Sequence, residues 1–273
     1  MSLERIFRME HYPRIPRRRR LQVFQMTDIH LGGKTYLQQA FKDMIDKIKR
    51  TRHTKVILTG DIIENNTKTS VGEGVYEQTL TPNDQLLDII HLLWPIRKKI
   101  IGISRGNHEI RTSKTEGIDV CDVLASRLDV PRLLDHSLHR FNFDENSYTL
   151  LVTHGRSGAS TIGGKINAVE KLVHIYDADA YLYGHVHHLL TWNGIIYGLE
   201  GIKLRHFGIN GSFMDYLDSY ASTAEYRPGM PGYITAMIGR EDIRLDEHWL
   251  LEYMDSGVLK STEDTDKKKR GVI

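Results

Sequence analysis

The sequence predicts an α/β fold, on two observations. Short apolar runs of strand length alternate with helical patterns over the first two thirds of the chain, and strand patterns without intervening helices follow. The runs are Leu21–Thr27, Lys55–Thr59, Ile100–Ser104, Tyr148–Thr153 and Ala178–Tyr183, and each ends in a polar cluster.

Between the runs, Thr35 and Gln38 suit a capping box, and Leu37, Ala40, Phe41, Met44, Ile45 and Ile48 share one helical face. A second helix starts with Thr81 as cap and Pro82 in its first turn, and stops before Pro95. Further helices are expected over Gly117–Arg127 and Lys165–Tyr176. After Gly184 the strand patterns are Ile195–Tyr197, Lys203–Gly208, Tyr233–Ile238 and Ile243–Leu250, which suggests a second sheet within the same domain.

The 273 residues suffice for a sizeable core without disulfides, and the single cysteine, Cys121, excludes an intramolecular disulfide framework. No apolar run approaches the ~20 residues that span a bilayer, so no membrane partner is expected. The N-terminus shows no charged-then-apolar leader, and a cytoplasmic setting is the expectation. A net charge of +2, from 37 basic and 35 acidic side chains, gives no global attraction to nucleic acid. The charge is uneven, however. Residues 1–20 hold Arg5, Arg8, Arg14 and Arg17 to Arg20, and form either a phosphate-touching arm or a solvated lead-in strand. Residues 21–260 are expected to be one domain, and 261–273 a disordered charged tail.

The ends of the five runs deliver metal-type ligands: Asp28 and His30, Asp61, Asn107 and His108, His154, then His185 and His187. Strands of an α/β sheet gather functional groups at their C-terminal ends, so these residues can converge in space. One histidine among 14 says little, but the joint pattern does: Asp-x-His, Gly-Asp, Gly-Asn-His-Glu, His-Gly and Gly-His-x-His, one after each run. Gly60, Gly106, Gly155 and Gly184 stand beside the ligands where the chain must turn. Imidazoles, carboxylates and an amide without thiolate suit Mn²⁺, with Fe or Zn²⁺ as alternatives. Seven ligand-type residues exceed the needs of one four-coordinate ion, and a carboxylate such as Asp61 can bridge two.

The ordered motifs Asp28-Ile29-His30, Gly60-Asp61, Gly106-Asn107-His108-Glu109, His154-Gly155 and Gly184-His185-Val186-His187 resemble those of the calcineurin-like metallophosphoesterase superfamily. The resemblance implies two packed mixed β-sheets flanked by helices, a four-layer sandwich in one domain. It also implies that Asp28, His30 and His187 hold one metal, Asn107, His154 and His185 the other, and that Asp61 bridges them. Water activated by the metals would attack phosphorus in line, and His108 would stabilise or protonate the leaving oxygen.

The superfamily includes protein phosphatases, nucleases, cyclic-nucleotide phosphodiesterases and phosphomonoesterases, so the site alone gives a reaction class. Asp61 is followed by Ile62-Ile63-Glu64-Asn65 rather than a stretch ending in Arg-Gly, which disfavours the protein phosphatases. Leu31-Gly32 after the first motif looks like the repair nucleases, although these carry a histidine where this chain has Glu64. The expectation is a phosphodiesterase acting on nucleic acid or a nucleotide. The alternatives are a phosphomonoesterase on a small metabolite and a non-catalytic scaffold. Arg156, after His154-Gly155, and Asn65, with its neighbour Asn66, are candidate substrate contacts; each also has an ordinary surface or loop reading. The aromatic-rich segment from Asn210 to Tyr233 is either a lid or a packed loop.

Overall fold

The computed structural model describes residues 7–254, except 69, 71–73, 199–200 and 217–227. The expected disordered tail, 261–273, lies outside the described residues, as does Arg5 of the basic arm.

Strands β1 (Phe7–His11), β5 (His136–Asn142), β6 (Ser147–Thr153), β7 (Ala180–Tyr183), β9 (Gly201–Ile209) and β8 (Leu190–Gly198) form a six-stranded sheet in that order. The second sheet has the order β11 (Ile243–Trp249), β10 (Gly232–Ile238), β2 (Leu21–Met26), β3 (Thr54–Thr59), β4 (Ile100–Ser104). Both are mixed: β2, β3 and β4 run parallel, as do β6, β7 and β9, while β10 is antiparallel to β2 and β8 to β9.

The inner faces meet in a core that includes Val23, Ile57, Leu150, Val152, Leu182, Ile234 and Ala236. Helices α1 (Gln38–Arg50), α2 (Pro82–Leu93) and α4 (Val120–Leu128) cover the outer face of the five-stranded sheet, with Phe41, Ile48, Ile89 and Leu124 packed against Phe24, Met26 and Leu58. Helix α5 (Ile162–Glu170) and the short 3-10 turn after it cover the other sheet through Val169 and Leu172 against Leu151, Tyr181 and Phe207. The result is the four-layer sandwich of two mixed sheets flanked by helices. Among the described residues no helix is long and apolar enough to cross a membrane.

Several local expectations are corrected. The late strands do not make a separate sheet: β8 and β9 extend the sheet of β6 and β7, whereas β10 and β11 complete the sheet of β2. Strand periodicity specifies which face is buried but not which neighbour is paired. The capping box at Thr35 and Gln38 does not form. Leu37 is the N-cap of α1, without a side-chain bond, and its own N–H donates to Phe213 O at 2.8 Å, so a tertiary contact fixes the helix entry. Gly117 does not open a helix but closes an unforeseen one, α3 (Asn107–Glu116), with φ of 70° in the left-handed region. Helix α4 then starts at Asp119, whose carboxylate accepts from the amides of Cys121 and Asp122. The Thr81 cap of α2 forms as expected, its hydroxyl accepting from Asp84 N.

Arg17 to Arg20 precede β2 and stand at its N-terminal end, where Arg20 pairs with Asp242. At ~3.3 Å per residue, the six residues of β2 separate that end from Asp28 by roughly 20 Å.

Candidate metal centre

Each ligand-type residue follows directly on a strand or the turn after it. Asp28 and His30 follow β2, Asp61 follows β3, Asn107 and His108 follow β4, His154 follows β6, and His185 and His187 follow β7. Because these strands are parallel within each sheet and the sheets are stacked, all five exits open at one end of the sandwich. Below the site Gln25 ties the sheets together. Its amide donates to Thr59 Oγ1 at 2.7 Å and to Thr153 O at 3.0 Å, while Asn210 Nδ2 donates to its carbonyl oxygen.

The backbone there is unusual. Asp28, His30, Asp61, Asn65, His185 and His187 all have positive φ, between 45° and 70°, and Asp129 is the one other such non-glycine among the described residues. Left-handed conformations of non-glycine residues persist where surrounding contacts hold them, and they concentrate at functional sites. Here the contacts are visible: the amides of Ile29 and His30 donate to Asp61 O at 2.8 and 3.0 Å, and His185 N donates to the Asp28 carboxylate at 2.9 Å. Gly184 leaves no room for a side chain, since a Cβ would lie 2.7 Å from Asp28 Oδ2.

The side chains converge in overlapping groups. Asp28, His30 and His187 place their ligand atoms within 4.8 Å of one another, and so do Asp61, His154 and His185, while His30, Asp61 and His108 form a third set between them. His187 Nε2 lies 3.0 Å from Asp28 Oδ1 and 3.3 Å from His30 Nε2. His154 Nε2 lies 3.0 Å from Asn107 Oδ1 and 3.3 Å from Asp61 Oδ2. All seven sequence candidates are thus assembled: Asp28, His30, Asp61 and His154 are buried, His185 and His187 are half-buried, and Asn107, at the mouth of α3, is exposed. Imidazole nitrogens facing carboxylate and amide oxygens at such distances are a donor set that fits divalent cations.

The supporting residues were not singled out from the sequence. Glu64, 7% exposed, receives His30 Nδ1 at 2.9 Å on Oε2, which leaves His30 Nε2 turned to the cluster. Glu109, fully buried, accepts from the amides of Gly106, Asp61 and Ile62 at 2.8, 3.0 and 2.7 Å, so one carboxylate binds the turn after β3 to the start of α3. Arg111, one helical turn after His108, donates to Glu64 O at 3.2 Å, to Asn66 Oδ1, and to His108 Nε2 at 2.9 Å. His108 Nδ1 in turn meets Glu64 O at 2.6 Å, which assigns the ring proton to Nδ1. A carboxylate three residues after Asp61 and an arginine four residues after Asn107 were the available signals, but the groups they meet, the His30 ring for Glu64 and the Glu64 carbonyl and Asn66 side chain for Arg111, are distant in sequence and brought near only by the fold.

The electrostatics divide the site. Burial works against a proton on His154, yet Asp61 beside it pushes its pKa up to about 9. Burial likewise opposes charge on Glu64, and His30 overrides it, holding the carboxyl down at about 2. His108 lacks a direct carboxylate bond, and burial pulls it down to about 4.

The two substrate candidates are both held by other protein groups. Arg156 is exposed and pairs with Asp135 at 2.5 Å. Asn65 is buried, with its amide donating to His108 O at 2.6 Å and accepting from Thr112 Oγ1 at 2.7 Å, so its side chain holds α3 in place. Of the aromatic segment, Phe213 and Tyr233 belong to the core with Phe41, and residues 217–227 lie outside the described residues.

A sequence profile described as calcineurin-like phosphoesterase matches residues 21–189, which contain every motif above. The chain belongs to the calcineurin-like phosphoesterase family, metal-dependent phosphoester hydrolases that use divalent ions. No curated protein sequence matches it. Among solved structures it is similar to a single mutant of Vps29 from Entamoeba histolytica, at 16% identity over 85% of this chain and 94% of that one, TM-score 0.46. It is also similar to the NAD nucleotidase NadN of Haemophilus influenzae, at 11% identity over 85% of this chain and 50% of that one, TM-score 0.47. A predicted phosphoesterase from Streptococcus pneumoniae is similar at 13% identity over 84% and 90%, TM-score 0.40.

Proposed function

We propose that the chain is a metal-dependent phosphodiesterase acting on nucleotides or nucleic acid. The observation that carries the reading is the pair of ligand groups on either side of Asp61, with His108 and Arg111 alongside. Asp28, His30 and His187 would hold one divalent cation and Asn107, His154 and His185 the other, with Asp61 between them. Manganese suits this nitrogen and oxygen donor set, and iron or zinc would also be accepted. Such cations supply acidity to water and neutralise charge on phosphoryl oxygens.

The chain's own residues do the rest. Glu64 fixes the ring of His30, and Thr27 Oγ1, 3.3 Å from His154 Nδ1, steadies the ring of His154. His108 stands 3.8 Å from Asp61, with its Nε2 accepting from Arg111, and these two side chains form the flank from which the leaving oxygen departs. A phosphoryl anion beside His108 raises its proton affinity, which lets the imidazole pass a proton to that oxygen. One guanidinium on this flank matches the single charge of a diester better than the double charge of a monoester, and supports the phosphodiester reading.

The test is hydrolysis of bis(p-nitrophenyl) phosphate and of p-nitrophenyl phosphate by the manganese-loaded chain. The diester should be preferred, and Asp61→Asn should abolish turnover of both. Preference for the monoester, or near-normal turnover by Asp61→Asn, would reject the reading.

A further inference from the structure

One face of α3 leads from the metal centre into a cleft. His108, Thr112 and Thr115 recur on that face at helical spacing, and the helical rise puts Thr112 ~6 Å and Thr115 ~10 Å beyond His108 along the axis. Thr112 and Thr115, with Asn66, Gln78, Thr79 and Leu80, line a cleft of about 840 Å³. Small-molecule sites typically enclose ~300–1,000 Å³, so this one can take a nucleoside.

The wall nearest the metals is built in advance. Gln78 Oε1 accepts from Asn66 N at 3.0 Å, and Gln78 Nε2 donates to Asn66 O at 3.1 Å. Asn66 is 3% exposed, and its Nδ2 finds no partner among the described residues. Arg111 spans the gap, bonded to His108 Nε2 on one side and Asn66 Oδ1 on the other. The hydroxyls of Thr79 and Thr115, which donate to Gly32 O and Arg111 O, keep lone pairs that can accept, and Asn66 Nδ2 can donate, while Leu80, Val75 and Pro82 offer apolar contact to a ring face.

We propose that this cleft receives the leaving group of the phosphoester, and that this group is a nucleoside-sized alcohol bearing hydrogen-bonding edges and a flat ring. The inference rests on the phosphoesterase reading above and adds the side from which the substrate is recognised. In the reaction a water oxygen forms the new bond to phosphorus, the bond from phosphorus to the nucleoside oxygen breaks, and one proton from that water ends on the departing oxygen. The nucleoside alcohol is released into the cleft, and the phosphoryl product stays at the metals.

Thr115→Trp, from α3, and Val75→Trp, from the loop before α2, add bulk from two different walls, and neither is a ligand-type residue. The measurement is kcat/KM of the manganese-loaded full chain for a 3′,5′-linked deoxydinucleotide, divided by that for bis(p-nitrophenyl) phosphate. Each variant should lower this ratio by about tenfold or more, since bulk in the cleft obstructs the nucleoside and spares the smaller phenol. Melting curves identify any variant that fails to fold, and the other then decides. Ratios within about twofold of the unsubstituted chain for the folded variants would overturn the cleft assignment alone. Absence of turnover of either ester by the metal-loaded unsubstituted chain would overturn the phosphoesterase reading and the cleft with it.

Discussion

Among the described residues, two groups of buried and half-buried histidines differ in what surrounds them. At the metal centre His30, His154 and His187 each lie within 3.3 Å of a carboxylate oxygen, from Glu64, Asp61 and Asp28 respectively. On the edge of the six-stranded sheet, His11 Nε2 meets His139 Nδ1 at 3.1 Å, His139 Nε2 meets Ser137 Oγ at 3.0 Å, and His11 stacks on Phe141. Burial lowers His11 to about 4 and His139 to about 3, whereas Asp61 holds His154 at about 9. Burial is common to both clusters; the carboxylates make the difference. Histidines packed among themselves and apolar rings remain neutral structural groups, and those facing carboxylates form a site that attracts cations.

The comparison can be broken most sharply at Asp61. Asp61→Asn, assayed with bound metal, should lower kcat/KM for bis(p-nitrophenyl) phosphate by about a thousandfold or more, while His139→Phe on the sheet edge should leave it within about twofold. Loss of turnover in both would mean the edge cluster is part of the chemistry. Next in size is Glu109→Ala, which strands the amides of Gly106, Asp61 and Ile62 without acceptors at a cost of ~1–3 kcal/mol each. A large fall in melting temperature is expected, and an unchanged one would refute the bracing role. Glu64→Gln removes the charge that fixes His30 and should weaken manganese binding about 10- to 100-fold, measured by titration; unchanged affinity would show that His30 needs no such partner.

The smallest effect is on the sheet edge, and it depends on pH. The folded pKa values of His11 and His139 lie below the ordinary 6.5, so the unfolded chain takes up protons first. Their contribution to stability is complete above pH 6.5 and is lost as the pH falls toward 4 and 3. Protection of the β1 and β5 amides against exchange, corrected for the intrinsic rate at each pH, should therefore fall between pH 7 and pH 5, and His139→Phe should abolish that fall.

The same contrast explains what the sequence makes legible. Asp28, His30, Asp61, Asn107, His154, His185 and His187 can be read because short apolar runs mark strands and each ligand follows a strand end. Glu64, Glu109 and Arg111 cannot be read in the same way, since their roles are set by groups brought near only by the fold: the His30 ring for Glu64, the amides of Asp61 and Ile62 for Glu109, and Glu64 O for Arg111. Strand β5 is obscured by its own chemistry: in His136–Asn142 the buried positions include Ser137 and His139, so polar residues occupy the inward phase of the alternation. The partition of the late strands between two sheets is a matter of pairing, and β10 joins β2 from more than 200 residues away.

The ligand set is drawn from both layers of the sandwich: Asp28, His30, Asp61 and Asn107 from one sheet, His154, His185 and His187 from the other. The distance between two cations held there would therefore be a reading of how the sheets sit against each other, much as the gap of a caliper reports the position of its arms. Gln25, bonded to Thr59 in its own sheet and to Thr153 and Asn210 in the facing one, is the pin of that caliper. Sliding of one layer over the other would register first as a change in spacing at the metals, long before any strand came apart.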